Sequence, residues 1–143
     1  MKKLSVVLVA LVLIFSCKKD KDKDSGCSKN VTSISGTYKI TAYTYKATLS
    51  SSEVDYYSIL FPDACDRDNL LKFDTNGSYQ LIDAGIVCSP SGNDNGTWSI
   101  SGNSMVVDGD ETIIESFDCK TLVLSSTDVD QPGDKLKITL TRE

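Results

Sequence analysis

From Ile34 to the C-terminus, apolar and polar positions alternate with a period of two, the spacing at which successive side chains leave opposite faces of a strand. In ISGTYKITAYTYK (34–46), Ile34, Gly36, Tyr38, Ile40 and Ala42 share one phase. Ser35, Thr37, Lys39, Thr41 and Tyr43 take the other, and Tyr45 continues it. LLKF and SYQLI are joined by Asp74-Thr75-Asn76-Gly77, and Asn-Gly between two such runs signals a hairpin. GTWSI and SMVVD follow, joined by Ser101-Gly102-Asn103, then ETIIESF and TLVLSST, joined by Asp118-Cys119-Lys120. KLKITLTR ends the chain after Pro132-Gly133, with Leu136, Ile138 and Leu140 in phase. Eight strands with mostly short links predict an all-β, eight-stranded antiparallel up-and-down barrel, whose closure removes exposed sheet edges. One stretch breaks the pattern between strands 1 and 2. Ser50-Ser51-Ser52-Glu53 has capping-box spacing, which predicts one short helix from about Ser51 to Leu60, ended by Pro62 and placed to plug a mouth of the barrel.

The first residues follow another pattern. Lys2 and Lys3 precede an apolar run from Leu4 to Phe15, interrupted only by Ser5. At about 12 residues that run is too short to cross a ~30 Å hydrocarbon core. A basic start, an apolar segment and a small residue match a secretory signal peptide over residues 1–16. Ile14-Phe15-Ser16-Cys17 resembles the lipobox of bacterial lipoproteins, which implies cleavage before Cys17 and acyl chains on it. Residues 18–24 hold four lysines, three aspartates and no apolar side chain, so they read as a solvated tether. Carried through Val31, that tether spans roughly 45–50 Å at ~3.3–3.6 Å per residue. The expected organisation is a signal peptide (1–16), a lipidated cysteine with a flexible charged tether (17–31) and a barrel (32–143).

Charge and cysteines narrow the picture. Residues 26–143 carry nine basic against seventeen acidic side chains, a balance that disfavours nucleic acid as a partner. With Cys17 set apart, Cys27, Cys65, Cys88 and Cys119 remain, an even number in an exported chain. Three pairings are possible. Cys65–Cys88 is favoured because those residues flank a predicted hairpin, which leaves Cys27–Cys119. The chain has no histidine, which removes Ser-His, Cys-His and His-metal arrangements together. Its carboxylates gather in turns, where solvated roles are the default. Asp128-Val129-Asp130-Gln131-Pro132-Gly133 starts like a calcium loop, but Pro132 and Thr139 occupy positions where ligands are needed. No metal, cofactor or enzymatic activity is expected.

SISGTYKITAY, CDRDNLLKFDTNGSYQL, a further cysteine and NGTWSISGNSMVV, in that order, resemble the lipocalin-like domain of exported lipoproteins of the Bacteroidota. The resemblance covers roughly Ser33 to Arg142. It implies an eight-stranded barrel on a protein lipid-anchored in the bacterial cell envelope, at the outer membrane, facing the periplasm or the surface. Trp98, Tyr38 and Tyr79 fall on inward phases among aliphatic neighbours, so they are the candidate ligand-binding residues for a small apolar molecule. The other reading is a filled barrel acting on an envelope protein as an interaction or inhibitor module. Exposed tyrosines in strand 1 and in the excursion after it would serve that reading.

Overall fold

The structure is a computed structural model that describes residues 27–143. The segment expected to be a signal peptide (1–16), Cys17 and the charged part of the expected tether lie outside the described residues. After a one-turn helix α1 (Val31–Ile34) come strands β1 (Gly36–Lys46) and β2 (Val54–Asp55), then helices α2 (Tyr57–Leu60) and α3 (Ala64–Arg67). The remaining strands are β3 (Leu70–Phe73), β4 (Ser78–Ile82), β5 (Asp94–Ser101), β6 (Ser104–Val107), β7 (Asp110–Phe117), β8 (Thr121–Thr127) and β9 (Lys135–Arg142). All pairings are antiparallel. β1 pairs with β3 at one edge and with β9 at the other, which closes the sheet into an all-β barrel. The ring has eight members. β2 is a ninth strand that continues the β3 edge of β1, with Thr44 opposite Asp55 and Tyr45 opposite Val54.

The helix expected over Ser51–Leu60 does not form as such. Ser51 closes a local turn instead: its Oγ donates to the Thr48 carbonyl and accepts from the Thr48 amide, while its own amide donates to Thr48 Oγ1. Side chain-to-backbone bonds of this kind compete with helix. β-branched Val54 then pairs with β1, and Asp55 Oδ1 accepts the Tyr57 amide at 2.8 Å to start α2. Within the expected range only the one-turn α2 forms, and a second one-turn helix, α3, follows beyond Pro62.

Two bulges redirect the alternation. Thr41 is an extra residue of β1 between Ile40, opposite Leu140, and Ala42, opposite Thr139. Beyond it Tyr43 faces Ile138 and Tyr45 faces Leu136, so both tyrosines share the inner face with those residues. This corrects their placement on the outer phase. Glu115 does the same in β7, so that Ile114 and Phe117 are both buried.

Each end of the barrel carries a cap held by one disulfide. At the end where β1 starts and β9 finishes, α1 brings fully buried Ile34 against the core, and Cys27–Cys119 ties that segment to the β7–β8 turn. Lys29 Nζ donates to Asn103 Oδ1 at 2.7 Å and to the Ile114 carbonyl at 2.8 Å. Residues 27–31, read from the sequence as tether, are therefore part of the barrel's closed end. At the other end Cys65–Cys88 joins the excursion 47–69 to the loop 83–93. Cα separations of 5.4 and 5.3 Å suit both bridges.

The packed core lies toward the α1 end, where Tyr38, Phe73, Trp98, Met105, Ile114 and Leu122 are buried. Full burial of such side chains contributes roughly 1.5–3 kcal/mol each. Packing at one end leaves the other hollow.

Candidate functional site

The hollow has two chambers. The lower one, of about 280 Å³, is lined by residues from β1, β3, β4, β6, β7, β8 and β9 and so occupies the lumen itself. Phe73 and Leu140 contribute its deeper part, with Ile40, Leu71, Val107, Leu124 and Ile138 as walls. Its polar lining is Tyr79, Asp108, Asp110 and Thr112, grouped beside the β6–β7 turn. The upper chamber, of about 300 Å³, shares Ile40 and Leu71 with the lower one and adds Leu81 from the barrel. Tyr57 and Phe61, from the excursion, cover it, and Asp66, Arg67 and Asn69 supply its polar groups. The Cys65 and Cys88 sulfurs beside Asp66 are bonded to each other, so they offer no thiolate to a metal.

Local chemistry fixes the polar rim. Asp108-Gly109 forms the tight β6–β7 turn with φ of 51° and 96°, the left-handed region such a two-residue hairpin loop requires. The turn aims the Asp108 carboxylate back over β5. There Oδ1 accepts the Thr97 amide at 2.8 Å and Oδ2 accepts the Tyr79 hydroxyl at 2.7 Å. Gly96 leaves the room for it, since a Cβ there would come within 2.2 Å of Asp108 Oδ1. The Thr97 amide, followed by the Tyr79 hydroxyl, holds the Asp108 carboxyl below its usual range. The bond to Asp108, then burial, pushes the Tyr79 phenol up to about 12.

The mouth is bordered by aromatic contacts. Tyr43 meets Phe61 edge-on with ring centres 6.3 Å apart, and Tyr45 lies 5.1 Å from Tyr56. These pairs seat the excursion on the barrel and enclose a further hollow of about 180 Å³ with Leu60, Val129 and Leu136. Beneath it, buried Asp134 orders the β8–β9 turn. Its carboxylate accepts the amides of Val129, Asp130 and Gln131 and the Tyr45 hydroxyl. Asp128 Oδ1 accepts the Gly133 amide at 2.7 Å. The Asp128 and Asp134 carboxylates thus serve the turn's own backbone.

The three candidate ligand-binding residues take different positions. Tyr79 lines the lower chamber. Tyr38 is fully buried below it, donating to the Ile34 carbonyl at 2.7 Å and accepting from Arg142 Nη2 at 2.6 Å. Trp98 is buried as well, with Nε1 donating to the Asp74 carbonyl at 2.9 Å. Phe73 joins them, its ring centre 5.9 Å from Tyr38, 5.2 Å from Trp98 and 6.2 Å from Tyr79. Tyr38 and Trp98 therefore support the floor, and Tyr79 faces the space. Sequence reasoning missed Asp108, Asp110 and Thr112 as lining residues. The Asp-Gly dipeptide at 108–109 was the available signal for the turn that places them.

A closed antiparallel barrel with an apolar lumen, a small polar rim and a covered mouth is a binding architecture. A family model for a lipocalin-like domain matches residues 34–128, most of the described chain, and the protein belongs to that family. Neither the comparison with curated proteins nor that with solved structures returns a match. The fold of this family is typically one of binding and not of catalysis.

Proposed function

We propose that this protein is a lipid-anchored, extracytoplasmic binding protein of the bacterial cell envelope, of the Bacteroidota lipoprotein type, that holds a small apolar molecule in its lumen. The observation that carries the ligand reading is the lower chamber, with aliphatic and aromatic walls and polar groups on one side only. Removing a ligand's apolar surface from water drives binding, at roughly 25 cal/mol per Å². Native mass spectrometry before and after exposure to an envelope extract tests it. A discrete added mass that Ile138→Trp abolishes supports lumenal binding; an added mass that survives the filled lumen contradicts it.

The lipobox-like Ile14-Phe15-Ser16-Cys17 and the charged stretch after it support the anchor. Two acyl chains hold a protein stably on a bilayer, whereas one does so only marginally. Cys17→Ala should move the protein from the membrane to the soluble fraction, and a mutant that stays on the membrane contradicts the assignment.

A second reading has its own support. The large exposed apolar side chains, all but Ile113, sit at the mouth end, among them Leu49, Ile59, Ile86 and Val87 at 73, 63, 61 and 64 % exposure. Clustered apolar tips favour contact with an envelope protein at the rim. Substituting Ile86 and Val87 by serine should weaken such a contact and leave lumenal binding intact.

A further inference from the structure

The lower chamber is uneven in its hydrogen-bonding chemistry as well as in its polarity. The Tyr79 hydroxyl lines it, but its proton is committed to Asp108 Oδ2. Thr112 Oγ1 donates to the Met105 carbonyl at 3.1 Å, which leaves its lone pairs. Asp108 is held by Thr97 and Tyr79. Asp110 differs: among the described residues its carboxylate has no hydrogen-bond or ion-pair partner. No lysine or arginine lines this chamber. Arg67 faces the upper chamber, but its Nε and Nη2 donate to the Phe61 and Pro62 carbonyls, and Asp66 shares the same wall. In the lower chamber an incoming molecule therefore meets acceptors and negative charge, with both lining side-chain donors, Tyr79 and Thr112, already engaged.

We propose that the lumen selects an apolar molecule ending in a hydrogen-bond-donating head, best a cationic amine, with the apolar body against Leu124, Ile138 and Leu140 and the head received by Asp110. The inference rests on the lumenal reading above and narrows it. A carboxylate of the same length would bring like charge against Asp108 and Asp110, which disfavours it. An alcohol loses no charge repulsion and gains no ion pair, so it falls between the two. The formal charge of residues 26–143, nine basic against seventeen acidic groups, adds a field that draws cations.

Calorimetric titration of the full chain carrying Cys17→Ala, which bears no acyl chain to compete, tests this with octylamine, octan-1-ol and octanoate below their micelle-forming concentrations. Octylamine should bind about fivefold more tightly than octanoate, the upper end of what one exposed ion pair supplies. Asp110→Asn should bring octylamine to the affinity of octan-1-ol and leave octan-1-ol unchanged; a merely structural role for Asp110 would shift all three together. Octanoate binding as tightly as octylamine overturns the proposal, as does an amine preference that survives Asp110→Asn. If octan-1-ol binds, Ile138→Trp abolishes it and the amine is no better, the head-group selection falls while the lumenal reading stands. If neither amine nor alcohol binds, both fall.

Discussion

The Tyr79 hydroxyl donates to Asp108 Oδ2 across 2.7 Å, tying β4 to the β6–β7 turn over the intervening β5. The bond favours ionised Asp108 and neutral Tyr79, and each preference sets one limb of a stability profile. Asp108 has a lowered folded pKa, so its contribution is present above the ordinary carboxylate range and is lost as pH falls through the lowered value. Tyr79 has a raised one, so its contribution is present below its ordinary 10.0 and is lost as pH rises through about 12. Phenolate absorbance should show a late-titrating tyrosine near 12 that Tyr79→Phe removes. Asp108→Asn should shift it back toward 10; an unchanged titration in that variant refutes the coupling.

The Thr41 bulge is what brings Tyr43 and Tyr45 to the inner face. Deleting Thr41 removes the extra residue and leaves a regular ladder, with Tyr43 still opposite Ile138 and Tyr45 still opposite Leu136, so both rings stay against Phe61 and Tyr56. The deletion should therefore cost under about 1 kcal/mol in urea unfolding. A cost of about 3 kcal/mol, roughly 1.5 kcal/mol for each half-buried ring, would mean that both rings had left the inner face.

That bulge also marks how far the sequence could be read. Alternation and turn residues located the eight ring strands because period-two patterning and Asn-Gly are local signals. A one-residue insertion in β1 is set by pairing with β9, nearly a hundred residues away, and TYKITAYTYK contains nothing to announce it. The excursion failed for a related reason. Ser51 has a good helix-capping position, yet the turn it makes with Thr48 and the pairing of Val54 with Tyr45 outcompete the helix. For the site, inward phase was legible, but which aromatics reach open space was not. Tyr38 and Trp98 lie deep enough to be covered by Phe73, a depth that only the closed ring defines.

Arg142 closes the α1 end. Its Nη2 donates to the carbonyls of Ser33 at 2.6 Å and Ser35 at 3.1 Å and to Tyr38, and the guanidinium lies 5.1 Å from the Tyr38 ring centre and 5.7 Å from that of Phe117. Losing several charge-assisted bonds at a part-buried site should make Arg142→Ala about 3 kcal/mol less stable. Arg142→Lys should recover less than half, because an ammonium lacks the planar fork and its stacking faces. Thermal unfolding of the two variants checks both values.

The two disulfides close loops of different length, 92 and 23 residues. Chain-entropy reasoning assigns about 4.6 kcal/mol to the first and about 3.4 to the second. Paired Cys27→Ser and Cys119→Ser changes should therefore destabilise the barrel more than the Cys65 and Cys88 pair. The Cys65 and Cys88 pair should instead loosen the excursion locally, seen as faster amide exchange over residues 57–69. Equal exchange in wild type and variant would show that the aromatic contacts alone seat the excursion.

The proposed function requires that the barrel lumen take up a small apolar molecule. The most direct measurement is a set of nuclear Overhauser contacts between octan-1-ol and the methyl groups of the full chain carrying Cys17→Ala. Contacts to Leu124, Ile138 and Leu140, lost in Ile138→Trp, are the predicted result. Contacts confined to Leu49, Ile59, Ile86 and Val87 would contradict it and move the function to the rim.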